Sequence, residues 1–508
     1  MHSLPLKIKL KPGDHELLDK RFRIMARIHN VIVKHAKKLL RMLRRDKEYG
    51  RLLDEYLSCK DDETHKKEIS GQLNVIRESY GLSEKGLQAY AKIQANKHKN
   101  HLSSQQVQKE ASRVYKGVED VLFGHGDDVH FKKETELLTI SGKSPANGIK
   151  LYDRFHDFLP RVFERDGLMD GVLWNGHWFC IDVDYKDRYV LESLNNEVSY
   201  CEITRKAFKG GWHYYINVVL KGNAPQKLIP GHSRMGIDPG TSTFAGVSET
   251  TVILRELAPD VTKYEKEIHK IQQHIDRSKR KSNPENYNED GTIKKGKRKW
   301  NLSKSCKKTL WSLRTMHRKK AAYVKQSHEE LVDEAVADSS VFIVEAMDYR
   351  ALAKRSKKAT EKSDKTITVK KKDGTEKTVH KNKRKKRFGH SIGARAPSSL
   401  LTILQRKCKQ YGLLYYETDT RKFKASQYDH VKDEFIPCTL KDRTKDIGGI
   451  IVQRDLYSAF LNSCSNNTFD HADRDLCIKQ FPHFVELMEK EITRMKEAGI
   501  SKKECFGF

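Results

Sequence analysis

Three separate stretches of this chain each place one carboxylate in or beside a short apolar run. They are Gly236–Gly240 (GIDPG), Val341–Glu345 (VFIVE) and Arg454–Ala459 (RDLYSA). Asp238 and Glu345 fall at the ends of predicted strands, and Asp455 falls on a predicted helix. A carboxylate after four apolar residues is costly unless a charge meets it. The pattern therefore predicts a fold in which distant elements, spread over about two hundred residues, bring their acids together.

Carboxylates that converge from different elements are typical of a site for two Mg²⁺ ions. Mg²⁺ prefers hard oxygen ligands. Two such ions roughly 3.5–4 Å apart can activate water and stabilise a leaving oxygen. This is how a metal-dependent nuclease of the ribonuclease-H type builds its site. Each acid also has a simpler explanation, since Asp238 precedes the turn residues Pro239 and Gly240, and Asp455 suits the positive end of a helix dipole.

The chain is strongly basic, and the excess charge is concentrated in two runs. It has 98 Lys+Arg against 68 Asp+Glu, a net charge of +30. Residues 277–320 hold 16 basic and 3 acidic residues, and residues 354–387 hold 16 and 4. Because such self-repulsion does not help a fold, a polyanion near the acids is the natural partner. The alternative is that the two runs are solvated, disordered segments that bind no partner.

Composition favours a folded protein of several domains in a reducing compartment. A length of 508 residues suggests about three domains. Nine cysteines are scattered without a CxxC pair, which argues against a disulfide framework and an obvious zinc ribbon. No hydrophobic stretch approaches the ~20 residues of a spanning helix, so no membrane association is expected.

Periodicity divides the chain into a β region interrupted by helices and a later α/β region. Residues 4–11 alternate as a strand, 22–43 repeat as an amphipathic helix, and further helices are predicted over 50–80 and 83–122. Residues 128–222 indicate strands, including a hairpin of 200–205 with 213–220. From Met235 strands alternate with helices: strands over 236–247, 341–345 and 413–417, helices over 310–335, 399–410 and 454–461, and a hairpin of 367–369 with 378–379.

The acidic motifs resemble the RuvC motifs of the TnpB family, transposon-encoded RNA-guided nucleases that are ancestral to compact type V CRISPR effectors. The resemblance lies in residues 236–248 (GIDPGTSTFAGVS), 341–350 (VFIVEAMDYR), 425–427 (ASQ) and 453–460 (QRDLYSAF). It extends to the opening strand before Pro12, to Arg27–Asn30 and to residues 277–300. It implies that Asp238, Glu345 and Asp455 are the catalytic residues and the ligands of two Mg²⁺ ions.

The resemblance also implies a multidomain α+β architecture. A RuvC (ribonuclease-H-like) α/β nuclease domain would follow an N-terminal β (wedge) domain with an inserted helical recognition domain. The expected boundaries are 1–14 and 127–232 for the wedge domain, 15–126 for the helical domain, 233–424 for the nuclease domain with basic insertions, 425–451 for a degenerate target-nucleic-acid-binding module, and 452–508 for the end of the nuclease domain with a helical tail.

Two departures from the family pattern fall near the third acid. The family's four-cysteine zinc module begins Ser-Gln-x-Cys-x-x-Cys, but here Asp429 and Lys432 replace the cysteines after Ser426-Gln427, and Cys438 stands alone. One thiolate cannot make a structural zinc site, so no structural zinc is expected, and packing of residues such as Tyr428, Phe435 and Ile436 would hold the region. The usual Asp-Arg-Asp reads Gln453-Arg454-Asp455, and Tyr457 replaces an Asn.

The predicted function is therefore an RNA-guided DNA endonuclease that cuts beside a short flanking motif by two-metal-ion hydrolysis. Its partners would be a guide RNA and target DNA in a cytoplasmic, prokaryotic ribonucleoprotein, monomeric or dimeric. The guide RNA could derive from a transposon end or from a CRISPR repeat. Two alternative functions are a nuclease-dead-like RNA-guided repressor and a transposase-associated strand-processing protein. The predicted nucleic-acid contacts are Lys294, Lys295, Lys297, Arg298, Lys299, Lys381, Lys383, Arg384, Lys385, Lys386, Arg387 and, as a base-stacking aromatic, Trp212.

Overall fold

The computed structural model describes residues 1–508 apart from 60–61, 145–147, 154, 157–169, 297, 354–361, 371–375, 383–387, 440–441 and 501–505. Within 362–382 it describes the backbone of a hairpin and few of the side chains. The chain forms two compact units, Met1–Pro225 and Gln226–Phe508. None of the helices described in these ranges is long and apolar enough to cross a membrane.

The first unit is built on one antiparallel sheet of seven strands. In chain order its elements are β1 (His2–Lys9), α1 (Asp14–Leu43), α2 (Lys47–Ser58), α3 (Glu63–Ser79), α4 (Glu84–Asn96), α5 (Ser104–Leu122), β2 (Thr139–Ser141), β3 (Ile149–Tyr152), β4 (Gly171–Trp174), β5 (His177–Asp182), α6 (Arg188–Leu194), β6 (Val198–Phe208) and β7 (Gly211–Leu220). The strand order is β2-β6-β7-β1-β5-β4-β3.

The opening strand pairs with strands that come more than a hundred residues later. Leu6 lies opposite Ile216 of β7, and Ile8 lies opposite Ile181 of β5. Along β1, Leu4, Leu6 and Ile8 are buried while the residues between them are exposed, as the alternation in the sequence predicts. Five helices, α1 to α5, therefore intervene between two neighbouring strands of one sheet, as expected from the interrupted β pattern.

The second unit is built on a mixed sheet of five strands. Its elements begin with β8 (Ser233–Pro239), β9 (Thr243–Val247), β10 (Val252–Glu256), α7 (Val261–Ser282), α8 (Lys304–Asp338), β11 (Ser339–Glu345), α9 (Tyr349–Ala353), β12 (Lys362–Lys370), β13 (Glu376–Asn382), α10 (Gly389–Arg395), α11 (Pro397–Tyr411), β14 (Leu414–Thr418) and α12 (Thr420–Phe423). They end with β15 (Tyr428–Asp429), β16 (Glu434–Phe435), β17 (Thr444–Ile447), β18 (Ile450–Gln453), α13 (Arg454–Ser463) and α14 (Arg474–Glu497).

The order of this sheet is β10-β9-β8-β11-β14. Strand β11 runs parallel to both β8 and β14, whereas β9 is antiparallel to its neighbours β8 and β10. The two faces are covered by different helices. Met235 and Ile237 of β8, with Phe342 and Val344 of β11, pack on one face in a core with residues of α8 and α11. Residues of α13 and α14 form a second core with residues of β9 and β10.

Helix α13 lies directly on the backbone of β8 at Gly236. A Cβ atom added there would come 2.1 Å from the Ala459 carbonyl oxygen and 2.1 Å from the Ser463 nitrogen. The Asn462 side-chain amide donates to the Ile237 carbonyl oxygen at 3.2 Å, which ties the helix to the same strand. The first glycine of the GIDPG motif is therefore required by close packing of a helix on a strand.

Gly236→Ala should lower the free energy of unfolding of the second unit by about 3 kcal/mol, because the clash is with helix backbone that cannot rotate away. Chemical denaturation followed by circular dichroism measures this. Gly393→Ala is the matched control, since a Cβ there meets nothing within 4 Å; within helix α10 it should change stability by no more than about 1 kcal/mol. Equal effects of the two substitutions would contradict the assigned packing.

Candidate active site

Two of the three acids lie side by side at the ends of parallel strands. In the register of β8 with β11, Ile237 is opposite Val344, so Asp238 and Glu345 occupy the next neighbouring positions. Side chains alternate across a sheet. Since Ile237 and Val344 face the α8 and α11 core, Asp238 and Glu345 must face the other side, where α13 lies. Asp238 and Glu345 share a face of the sheet because side chains alternate along the strands that contain GIDPG and VFIVE.

Asp455 reaches the same place from the first turn of α13. The Asp455 residue is only 7% exposed, while Asp238 and Glu345 are partly exposed. The helix begins here because the Gln453 side chain accepts a hydrogen bond from the Leu456 amide at 2.6 Å. This is the ordinary N-cap arrangement. Gln453 thus supplies the cap at the position where the family usually has an aspartate.

The carboxylates lie close enough for their charges to shift the pKa values of Asp238 and Glu345. Burial, followed by the charges of Glu345 and Asp455, raises the pKa of the Asp238 carboxyl well above its usual range. Burial and the Asp455 carboxylate raise the pKa of Glu345 to about 7. Desolvation and like charge both favour the protonated form of an acid. The nearby Arg454 guanidinium acts in the opposite direction on the pKa of both groups.

Asp455 differs from the other two acids because two arginines hold it. Arg454 donates to its Oδ1 atom through Nε at 3.1 Å and through Nη2 at 2.8 Å. Arg443 places Nη1 3.7 Å from Oδ2. Among the described residues, neither Asp238 nor Glu345 has a side-chain hydrogen bond or a salt bridge.

The donor set suits a divalent cation in its chemistry. Three carboxylates supply hard oxygen ligands, and a cation would relieve the repulsion that raises the pKa values of Asp238 and Glu345. Throughout the part of the chain that the structure describes, no group of three or more His, Cys, Asp or Glu side chains is already spaced to hold a metal ion. The donor atoms are of the right chemical type, and one of the three acids, Asp455, is held by two arginines.

Tyr349 supports the end of β8 and was not singled out from the sequence. Its hydroxyl donates to the Pro239 carbonyl oxygen at 2.8 Å. Burial and the charges of Asp238 and Glu345 raise the pKa of this phenol, so it stays protonated. It lies four residues beyond Glu345, within the quoted stretch VFIVEAMDYR, and this proximity was the only available signal. The contacts of Arg454 were missed in the same way.

Hydrogen bonds hold the segment before Asp455 where zinc cysteines would fall in the family. The Asp429 Oδ1 atom accepts from the amides of Val431 and Lys432 at 3.0 and 3.2 Å. The Lys445 ammonium donates to the carbonyl oxygens of Ser426 and Tyr428 at 3.1 and 3.2 Å. The Cys438 thiol donates to the Ser426 carbonyl oxygen at 3.2 Å. The turn is therefore closed by polar side chains.

The expectation that Tyr428, Phe435 and Ile436 pack this segment agrees best with the two aromatic residues. Tyr428 is 2% exposed. The centre of the Phe435 ring lies 5.3 Å from that of Tyr428 and 6.0 Å from that of His471. Phe435, on a two-residue strand that pairs with β15, and Ile436, which follows it, are nevertheless 43% and 36% exposed. Ring contacts and hydrogen bonds therefore hold the segment together.

Tyr457, which replaces the family's Asn, forms its own buried contact. Its hydroxyl oxygen accepts from the His430 amide at 3.2 Å and lies 2.8 Å from His430 Nδ1. Burial lowers the pKa of His430 to about 4, so the imidazole is neutral and its Nδ1 atom can accept a hydrogen bond from the Tyr457 hydroxyl. The departure thus links helix α13 to the segment 425–451 through a tyrosine and a histidine.

The predicted nucleic-acid contacts are distributed unevenly. Lys294, Lys295, Arg298 and Lys299 are exposed between α7 and α8. The loop that carries them is held by buried Asn283, whose Nδ2 donates to the Lys279 and Asn301 carbonyl oxygens at 2.9 and 3.0 Å. Lys297 and Lys383, Arg384, Lys385, Lys386 and Arg387 lie outside the described residues, and for Lys381 only the backbone of β13 is described.

The base-stacking role expected for Trp212 is wrong for this structure. Trp212 is 7% exposed on β7, and the Arg205 guanidinium lies over its ring at 4.3 Å. The Trp212 ring therefore has no free face on which an unpaired base could stack. The error arose because aromatic residues beside basic ones in a strand sequence look the same whether they face the core or the solvent.

No protein-family profile matches the sequence, and no curated protein matches it. Among solved structures, the chain is similar to a Cas12f1–sgRNA–target DNA complex, with a TM-score of 0.42 and 10% identity over 92% of this chain and 98% of the other. It is also similar to a CRISPR–Cas12f ternary complex, with a TM-score of 0.24 and 10% identity over 92% and 99% of the two chains. At TM-scores below 0.5, neither likeness bears on function.

The raised pKa of Glu345 predicts how the metal-free protein responds to pH. The folded state holds a proton that the unfolded state releases at about 4.5, so stability should fall as pH rises from 4.5 to about 7 and then level off. Glu345→Gln should flatten this part of the profile. Thermal melting in a chelating buffer at a series of pH values measures it. A wild-type profile that rises over this interval, with no change in the variant, would contradict the assignment.

Proposed function

We propose that this chain is an RNA-guided DNA endonuclease whose catalytic residues are Asp238, Glu345 and Asp455. The observation that carries the nuclease part is the meeting of three carboxylates from two parallel strands and one helix on the same face of the five-stranded sheet. The strand order, with the second strand antiparallel, is the order expected of a ribonuclease-H-type sheet and supports a RuvC assignment. The RNA-guided part rests on the resemblance of the four motifs to the TnpB family.

A polyanionic partner is supported by the charge of the chain. The net charge is +30, and exposed lysines and arginines lie between α7 and α8 in the same unit as the acids. Lys and Arg bind phosphates without reading sequence. In an RNA-guided nuclease the base pairing of guide and target supplies sequence recognition. A guide RNA and a DNA target are the proposed partners, with the seven-stranded sheet as wedge domain and its helical insertion as recognition domain.

In the proposed reaction, the carboxylates of Asp238, Glu345 and Asp455 hold two Mg²⁺ ions. When bound, the metal supplies an activated water and stabilises the leaving oxygen of a phosphodiester. The hydrogen bond from Tyr349 to the Pro239 carbonyl oxygen fixes the C-terminal end of β8 and so keeps Asp238 in register with Glu345. Helix α13, which lies on Gly236, fixes the position of Asp455. The scaffold therefore sets two acids through strand register and the third through helix packing.

Asp238→Asn, Glu345→Gln and Asp455→Asn should each abolish Mg²⁺-dependent DNA cleavage while guided DNA binding is retained. Each variant removes a metal ligand, and the nucleic acid is held by basic residues elsewhere. Cleavage gels and filter binding on the ribonucleoprotein measure the two activities. Asp348→Asn is the matched control, because this exposed carboxylate only caps the Ala351 amide and should not matter for cleavage.

An Asp455→Asn protein that cuts DNA at the wild-type rate would show that the site assignment is wrong. A wild-type protein that binds guided DNA but never cuts it would favour the repressor alternative, and joined strands among the products would favour the strand-processing alternative. Sequencing the RNA that copurifies with the protein separates a transposon-end guide from a CRISPR guide.

The basic run after Glu345 should contact nucleic-acid backbone. Replacing Lys381, Lys383, Arg384, Lys385, Lys386 and Arg387 with Gln should weaken binding. The slope of log affinity against log salt should also become shallower by about 0.9 for each lost phosphate contact to duplex DNA. Salt titrations of binding measure both quantities. The same change at Lys294, Lys295, Lys297, Arg298 and Lys299 provides the comparison. If affinity and slope are unchanged in the first variant, this run does not contact nucleic acid, and residues 277–320 would be the ones that bind it.

Structural zinc should not be needed by the segment 425–451. Chelation should leave the melting temperature unchanged, whereas Asp429→Ala should lower the free energy of unfolding by about 1–2 kcal/mol, because two turn amides lose their acceptor. Cys438→Ala is the control and should have a much smaller effect. One tightly bound zinc per chain in elemental analysis of the purified protein would refute this prediction.

A further inference from the structure

The Arg454 guanidinium connects the third acid to the segment before it. Two of its nitrogens donate to Asp455 Oδ1, as described above. The remaining nitrogen, Nη1, donates to the carbonyl oxygens of Asp442 at 2.7 Å and Thr439 at 3.1 Å. The Arg454 side chain is only 10% exposed. All three nitrogens of this buried cation are therefore engaged, on a carboxylate at one side and on the backbone carbonyl groups of Thr439 and Asp442 at the other.

The Arg454 guanidinium places a positive charge beside three carboxylates that repel one another. Asp238 and Glu345 have no cation directly on their carboxylates among the described residues, so Arg454 is the nearest compensation for the group. A metal ion that uses Asp455 must compete with the guanidinium for Oδ1 and with Arg443 for Oδ2. Two cations cannot both occupy the same oxygens at close range without strong repulsion.

We propose that Arg454 is a positioning residue that acts as an internal counterion of the three acids, and that metal loading on Asp455 releases its hold on Thr439 and Asp442. This inference rests on the proposed function, because it takes Asp455 to be a metal ligand. It goes further by coupling the site to the segment 425–451, which the sequence predicts to contact target nucleic acid.

Coupling of this kind is reciprocal. If a metal ion loosens the hold of Arg454 on Thr439 and Asp442, then a ligand that draws these two residues away from Arg454 raises the affinity of Asp455 for metal by the same factor. Nucleic acid bound to the segment 425–451 would have this effect. The acids would then load metal preferentially when the target is engaged, and the arginine would keep the site incomplete at other times.

Mn²⁺ binding to the full-length protein, measured by isothermal titration calorimetry without DNA, tests the inference apart from cleavage. Arg454→Gln should bind Mn²⁺ about tenfold more tightly than wild type, which is within the usual range of coupling between sites. Arg443→Gln, whose guanidinium is farther from Asp455, should give a smaller gain in the same direction. Arg255→Gln is the matched control: it removes the same charge from an arginine paired with Glu334 and Glu491, and it should leave Mn²⁺ affinity unchanged.

Amide hydrogen exchange of Thr439 and residues 442–446 gives a second measurement, and its wild-type arm does not depend on the folding of a variant. In the wild-type protein Mn²⁺ should accelerate exchange in this segment, and in Arg454→Gln exchange should already be fast without metal. A folded Arg454→Gln protein with wild-type or weaker Mn²⁺ affinity, or an exchange rate that Mn²⁺ does not change, would overturn the inference and leave Arg454 as structural support. Equal Mn²⁺ binding by wild type and Asp455→Asn would instead overturn the metal site itself.

Discussion

The repulsion among three carboxylates is the constraint on which the second unit depends. Parallel pairing of β8 with β11 puts Asp238 beside Glu345, and helix α13 brings Asp455 over them. A protein does not gather like charges under a helix unless something offsets the cost. Raised pKa values, which favour the protonated forms of Asp238 and Glu345, and the Arg454 guanidinium on Asp455 offset that cost. In the proposed active form, divalent metal would replace both.

The rest of the local architecture follows from the need to hold Asp455 close to the strands. Gly236 lets the backbone of α13 lie directly on β8, and Asn462 bonds the helix to that strand. Gln453 caps the helix without adding a fourth carboxylate. On the other side of the helix, Tyr457 and His430 connect it to the segment 425–451. The third acid is thus positioned by contacts along the length of one helix.

Much of the fold could be predicted because its elements follow simple periods. The strand ending at Glu345, the helix ended by Gly412 and the hairpin pairing Ile367 with Val379 all have the expected type and nearly the expected bounds. The acids could be paired because strand alternation fixes which side chains share a face. The helices expected over 50–80 are α2 and α3, and the side chain of Asp62 caps the start of α3.

What the sequence did not predict are the contacts that individual side chains make in the folded protein. Trp212 is covered by Arg205, and Arg454 turns back on its neighbour Asp455, although neither contact leaves a periodic signal in the sequence. The absence of the family's zinc cysteines could be read from the sequence, but the hydrogen bonds of Lys445 to the backbone carbonyl groups of Ser426 and Tyr428 could not, because only the fold brings these groups within reach. Long-range polar contacts were therefore the least predictable part of the site.

The most direct test of the central claim is anomalous diffraction from crystals of the protein grown with Mn²⁺. The account predicts one or two anomalous peaks bound by carboxylate oxygens of Asp238, Glu345 and Asp455, with paired ions roughly 3.5–4 Å apart. It also predicts that the Arg454 guanidinium has moved off Asp455. Saturating Mn²⁺ with no anomalous peak at these three acids, and with Arg454 still hydrogen-bonded to Asp455, would contradict the account.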